Sequence, residues 1–224
     1  IRSSEGETMT PIGPNELFFL MQGLKWTLAL TVIGFIGGGI FGLCVALART
    51  AESPIGQRVT AGYIAVFQGT PLLMQLFVVY YGVGLVGLDI DAWIAVAIAF
   101  TLHASAFLGE IWRGGIQAVS KGQTEAAKAL GLHYVSRMKD VVLPQAFKIS
   151  LPATIGFMVQ LIKGTSLAAI VGFVELSRAG QIVSNQTFKP LTVFAIVGLI
   201  YFLICWPLSL WGASVEKRLQ TASR

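Results

Sequence analysis

Ser120 to Asp140 reads SKGQTEAAKALGLHYVSRMKD, a polar, helix-prone stretch between two long apolar blocks. Its flanks decide the fold. Crossing the hydrocarbon core of a bilayer takes a helix of roughly 20 predominantly apolar residues. Five segments qualify, at 24–48, 60–86, 92–112, 143–172 and 191–213. The fold class expected is therefore an all-α integral membrane protein with five transmembrane helices. The fourth segment holds Pro152, Lys163 and Gly164. It predicts a bent helix ending near 163, then a shorter apolar piece that need not cross.

The composition agrees. Of 224 residues, 54% are hydrophobic and 12% charged, against about 25% charged in an average soluble domain. A net charge of +5 could suggest nucleic acid, but the basic residues sit at the ends of apolar blocks and are not interleaved with aromatics. They read as topology signals, and no nucleic acid is expected. Cys44 and Cys205 both fall in apolar segments, which favours two buried free thiols, and the two Cys and two His lack metal-ligand spacing. No metal or cofactor is expected in this chain. Residues 1 to 16 are polar and mildly acidic, unlike a signal peptide, and the chain opens on Ile1. A missing or processed native start is expected.

Lys and Arg near span ends favour the cytoplasmic side. With the N-terminus outside, eleven fall inside (Arg49, Arg58, Arg113, Lys121, Lys128, Arg137, Lys139, Lys148, Lys217, Arg218, Arg224) and five outside (Arg2, Lys25, Lys163, Arg178, Lys189). The expected orientation is N-terminus outside and C-terminus cytoplasmic, with Asp89 and Asp91 in an outer turn. The opening stretch then forms the largest cytoplasmic loop.

Within span one, Gly34, Gly38, Gly42 and Ala46 recur every four residues, a small-residue face that lets two helix backbones approach closely. Packing on another span of this chain is the nearer expectation, a subunit contact the alternative. In span two, Pro71 after Gly69 and Thr70 predicts a kink, with Gln68 and Gln75 placing amides near it. Glu110 and Arg113 are three apart and predict an ion pair across one turn. His103 reads as a hydrogen-bonded packing residue. Lys163 and Glu175, toward the outer end of span four, are functional candidates by position, although long side chains near helix ends also reach water.

Residues 121 to 132 of the polar loop can form a helix, with Gln123, Thr124 and Lys128 on one side and Ala126, Ala127 and Leu130 as a shallow apolar patch. Gly131 is placed to end it. A lipid-anchoring helix offers Leu, Phe or Trp, whereas this patch of small residues favours a protein groove.

The run Glu125-Ala126-Ala127, Gly131 four residues after the second Ala, and "VVLP" ending at Pro144 together resemble the EAA loop of membrane subunits of bacterial ABC importers. Further along, "QGTPLLMQLF", "GEIWRGGIQAVSKGQTEAAKALGL", "LPQAFKISLP" and "GTSLAAIVGFVELSRAGQ" are similar, in order, to polar amino acid permeases of the histidine, glutamine, arginine and opine type. The resemblance spans about residues 15 to 218. It departs from that pattern where Gln68 replaces a frequent Arg, where Gly156 and Phe157 replace polar residues, and where Gly164 replaces an Asp after the Lys.

The resemblance implies a multi-pass permease subunit in the bacterial inner membrane. It implies a polar N-terminal segment at 1–15, a membrane domain at 16–218 with a coupling loop at about 118–140, and a cytoplasmic tail at 219–224. The implied partners are a cytoplasmic ATP-binding subunit dimer, a second membrane subunit, identical or related, an extracytoplasmic solute-binding protein and a polar amino acid. No G-x-x-x-x-G-K-[ST] phosphate cradle occurs in the chain, so it is not expected to be an enzyme, and ATP and Mg would act on the partner. Glu125 is the expected coupling contact, with Ala126, Ala127 and Gly131 shaping the docking surface and Lys128 at its rim. For the substrate path the candidates are Gln75, Gln160, Thr165 and Ser166. An ion-gradient transporter and a non-transporting scaffold are the alternatives. Against the first, the halves show no convincing inverted repeat.

Overall fold

A computed structural model of the chain describes residues 12–85, 87 and 90–222. Residues 1–11, Asp89 and Arg224, which entered the domain and topology readings, lie outside the described residues. In chain order the helices are α1 (Pro14–Thr50), α2 (Pro54–Gly69), α3 (Leu72–Leu85), α4 (Ala92–Ala118), α5 (Lys121–Ala129), α6 (Tyr134–Ser136), α7 (Leu143–Gly164), α8 (Leu176–Thr187) and α9 (Pro190–Ala222). A wide π-type turn, Arg137–Val142, joins α6 to α7, and a 3-10 segment, Thr165–Val171, follows α7.

Among the described residues, four stretches are long and apolar enough to cross a membrane: α1, α4, the run Tyr134–Val171 and α9. The expected span at 60–86 is different. It is a broken pair, α2 and α3, whose axes differ by 104°. Pro71 has no N–H to donate back into α2, and it pushes the preceding Thr70 to extended backbone at φ −116°, ψ 142°. The anticipated kink is therefore a full corner. The fourth span ends its helix where expected: α7 closes at Gly164, and the 3-10 segment stops at Gly172, whose φ of +84° is cheap only without a Cβ.

Helix α4 is the hub of the bundle. Its Val96, Ala99, Phe100, Ala104 and Leu108 are fully buried against Leu30 of α1, Leu76 of α3, Phe157 and Leu161 of α7, and Ala168 and Val171 of the 3-10 segment. The small-residue face of α1 meets α4 directly. A Cβ at Gly38 would collide with Ala104, one at Gly42 would lie 3.1 Å from the Gly109 nitrogen, and one at Gly34 would lie 3.1 Å from the Phe100 Cβ. The glycine repeat thus packs within the chain. On the far side of α4, Trp112 Nε1 donates to Thr154 Oγ1 of α7 at 3.1 Å.

Two smaller clusters fasten the ends. Leu20, Leu176, Ala179, Val183, Val193 and Val197 tie α8 between α1 and α9. Val119, Met138, Val142 and Ala146, with Leu47, Ile116 and Leu143 around them, hold the π-type turn to α1, α4 and α7. Outside these clusters, α1 and α9 expose Phe18, Ile36, Ile40, Phe41, Phe202, Leu203 and Trp206, a surface suited to lipid and too apolar for water. Cys44 lies on the exposed side of α1, so only Cys205 is a buried thiol as expected, and both are free.

Overpacking a close backbone seam costs on the order of 1–3 kcal/mol, so Gly38→Val is expected to lower the thermal unfolding midpoint of the detergent-solubilised protein. Gly62→Ala is the control, because nothing lies within 4 Å of the added Cβ. Equal midpoints for the two variants would refute the α1–α4 seam.

Candidate functional site

Helix α7 carries the candidate residues because two cavities take a wall from it. One, of about 440 Å³, lies among α3, α4, α7 and the 3-10 segment and is lined by Leu72, His103, Phe157, Gln160, Leu161, Lys163, Gly164, Ser166 and Leu167. The other, of about 660 Å³, runs between α7 and α9 past Pro152, Ala153, Gly156, Val159, Lys163, Ser209 and Glu216. Lys163 lines both. Together they mark one open face of α7, from Ile149 to Gly164.

The corner between α2 and α3 forms the structure behind the first cavity. Gln75 is buried, and its Nε2 donates to Phe67 O at 2.8 Å, Thr70 O at 3.0 Å and Thr70 Oγ1 at 3.0 Å. Its Oε1 lies 3.0 Å from His103 Nδ1. The amide thus caps the carbonyls that Pro71 leaves without a helical donor, as a break in an apolar setting requires. His103 packs in a tilted arrangement against Phe107 and stacks with Phe157, and it lines the cavity.

Of the substrate-path candidates, Gln160 and Ser166 line this cavity. Gln75 sits one layer behind it. Thr165 is fully buried, with its hydroxyl donating to Ile162 O at 2.7 Å. His103 and Lys163 stand in the same wall; the sequence marks Lys163 as a functional candidate by position and His103 as a hydrogen-bonded packing residue, and neither is among the four substrate-path candidates. Their signal was a lone imidazole and a lone cation within apolar runs.

Glu175 has zero exposure and is fully engaged. As N-cap of α8 it accepts from Ser177 N at 2.9 Å and Arg178 N at 2.8 Å, and Tyr201 Oη of α9 donates to it at 2.9 Å. Thr27 of α1 donates at 3.4 Å and accepts from Leu176 N at 3.2 Å. The carboxylate therefore binds three helices together. Glu110 and Arg113 form the expected pair, with Arg113 Nε donating at 2.8 Å and Nη2 at 2.5 Å.

At the other end of α7, α5 ends in a Schellman turn. Gly131 N donates to Lys128 O at 2.9 Å, Leu132 N donates to Ala127 O at 3.1 Å, and Gly131 takes φ +75°. Glu125, Ala126, Lys128 and Gly131 are exposed, whereas Ala127 is buried against the protein. The expected patch of Ala126, Ala127 and Leu130 is thus split, because nine residues of helix turn Ala127 inward while Leu130 stays 80% exposed. Between the end of α1 and the stretch from α6 to the start of α7, an apolar groove of about 390 Å³ runs along Leu47, Ala48, Tyr134, Val135, Met138 and Leu143. Gln145 of α7 donates to Gln123 of α5 at 3.3 Å.

The sequence profile of binding-protein-dependent transport system inner membrane components matches residues 38–221, and the chain belongs to that family. Over 204 residues it is 36% identical to the arginine transport system permease protein ArtQ of Bacillus subtilis (strain 168), across 91% of this chain and 93% of that protein. Over 201 residues it is 36% identical to the probable glutamine ABC transporter permease protein GlnM of the same strain, across 89% and 93% respectively. The crystal structure of an amino acid ABC transporter with histidines superposes with a TM-score of 0.83 at 34% identity, covering 91% of this chain and 95% of that chain. The chain is a multi-pass permease subunit of an ABC importer, and ATP hydrolysis belongs to a separate subunit.

Removing a buried acceptor strands its donors at about 1–3 kcal/mol, and loss of an N-cap adds about 1 kcal/mol. Glu175→Ala is accordingly expected to lower thermal stability in detergent more than Tyr201→Phe, which removes one hydrogen bond. A Glu175→Ala variant as stable as the parent would show that the carboxylate does not hold α8.

Proposed function

We propose that this permease subunit carries a polar amino acid through the bacterial inner membrane, with its N-terminus outside and its C-terminus and α5 in the cytoplasm. It works with a dimer of ATP-binding subunits that hold ATP and Mg, a second membrane subunit, identical or related, and an extracytoplasmic solute-binding protein. The names of its relatives, which concern arginine and glutamine, support an amino acid cargo. Residues 1–15 would lie outside, 16–218 would form the membrane domain with its coupling loop at about 118–140, and 219–224 would be a cytoplasmic tail. Gln160 and Ser166 would meet the substrate, and Gln75 and Thr165 would shape the walls around it.

One observation carries this reading: α7 bears a cavity wall at Phe157, Gln160 and Lys163 and, on its first turn, Gln145, which donates a hydrogen bond to Gln123 of α5. A partner that closes on ATP and moves α5 would therefore move the cavity wall with it. Glu125 is the coupling contact, Lys128 lies at its rim, and Ala126 and Gly131 shape the surface. The exposed Leu130 and Val135 beside them gain from a protein cover.

The test is uptake into vesicles that hold the permease with its ATPase, supplied with the solute-binding protein. Glu125→Lys should leave membrane insertion intact and reduce ATP-dependent uptake by about tenfold or more, the scale of one lost charge-assisted contact. Full uptake with full ATPase stimulation in that variant would refute the coupling role. Uptake driven by an ion gradient without ATP would refute the transport class.

A further inference from the structure

The corner at Thr70–Pro71 fixes more than a backbone angle. Phe67 O and Thr70 O can only accept hydrogen bonds, so the Gln75 atom within 3.0 Å of both is its amide nitrogen. Its other atom, Oε1, can only accept. His103 Nδ1, 3.0 Å away, must then carry the proton of this bond. In the neutral ring, that leaves the lone pair on Nε2, in an imidazole that lines the 440 Å³ cavity.

The charges in this cavity are one-sided. Lys163 is a lining residue, and no carboxylate is. A ligand carboxylate finds a cation there, while a ligand ammonium finds only neutral acceptors, His103 Nε2 and the Gln160 carbonyl among them. A second positive charge on the ligand would meet Lys163 with nothing to balance it.

We propose that Gln75 is a positioning residue that holds His103 as hydrogen-bond acceptor for the α-ammonium of an amino acid whose side chain carries no positive charge. Lys163 takes the α-carboxylate. This inference rests on the cavity being the substrate site, as proposed above.

Calorimetric titration of the permease purified with its ATPase in detergent tests it. The probes are L-glutamine, L-histidine and L-arginine, each paired with its analogue lacking the α-amino group. The parent should bind L-glutamine or L-histidine about tenfold or more tighter than its deaminated analogue, the worth of one hydrogen bond to a charged group. It should also bind that amino acid tighter than L-arginine.

His103→Asn keeps a donor for Gln75 near the Nδ1 position and removes the acceptor at Nε2, so the preference for the ammonium should fall to near unity. His103→Gln, whose amide reaches the Nε2 position, should retain it, and this variant decides the matter if His103→Asn does not assemble with the ATPase. Gln75→Met leaves the imidazole but unlocks its tautomer and should reduce the same ratio, a readout that lost stability alone would not move. An unchanged ratio in His103→Asn, or a lost one in His103→Gln, overturns the role of His103. An unchanged ratio in Gln75→Met overturns the positioning role. Tightest binding of L-arginine overturns the charge rule, and a parent that binds none of the three overturns the substrate-site reading itself.

Discussion

A backbone group in hydrocarbon must find its partner inside the protein, because no water is there to serve it. Most of this chain meets that demand with unbroken helix. Two irregular joints among the described residues meet it with one buried side chain each. At Thr70–Pro71 the amide of Gln75 takes up carbonyls of Phe67 and Thr70, and at the start of α8 the carboxylate of Glu175 takes up the amides of Ser177 and Arg178. Neither residue stops at its own joint. Gln75 continues to His103 on α4, and Glu175 to Thr27 on α1 and Tyr201 on α9. The breaks in helix are therefore where distant helices are tied together.

These ties work only because α4 is fixed in place. Association between helices in lipid gains little from the hydrophobic effect, so close backbone packing has to supply it. The seam of Gly34, Gly38 and Gly42 against Phe100, Ala104 and Gly109 does so. It also sets where His103 stands, one turn from Phe100 and Phe107 on the same helix. Two different interactions, a van der Waals seam and an amide clasp, thus meet at one imidazole in a cavity wall.

Hydropathy made the spans legible in the sequence, because length and apolarity are local properties. The small-residue repeat in α1 was equally plain, since four-residue spacing alone puts glycines on one face. The corner was legible only as a kink: Pro71 announces a break, but an angle of 104° depends on which helices receive α2 and α3. Gln75 shows the same limit. A polar side chain in an apolar run suggests either a ligand contact or a backbone cap, and only the fold shows which atoms surround its amide. Ala127 is a third case, because whether a residue of a short helix faces inward depends on how the rest of the fold receives that helix, and here Ala127 is buried.

Position along α7 decides how the two ends of the protein communicate. Its 22 residues reach about 33 Å at 1.5 Å per residue, enough for one helix to touch both α5 and the cavity. A ligand shifts a conformational equilibrium only by its difference in affinity between the two states. Groups on α7 itself, Gln160 and Lys163, acquire such a difference whenever α7 moves relative to α3 and α4. His103 stands on α4, across the same cavity. A ligand bridging Lys163 and His103 would therefore sense the separation of the two helices directly, and the same separation would be felt at Gln145, where α7 meets α5. On the proposed reading, coupling needs no wire of intermediate residues: one helix that is wall at one end and attachment at the other is sufficient.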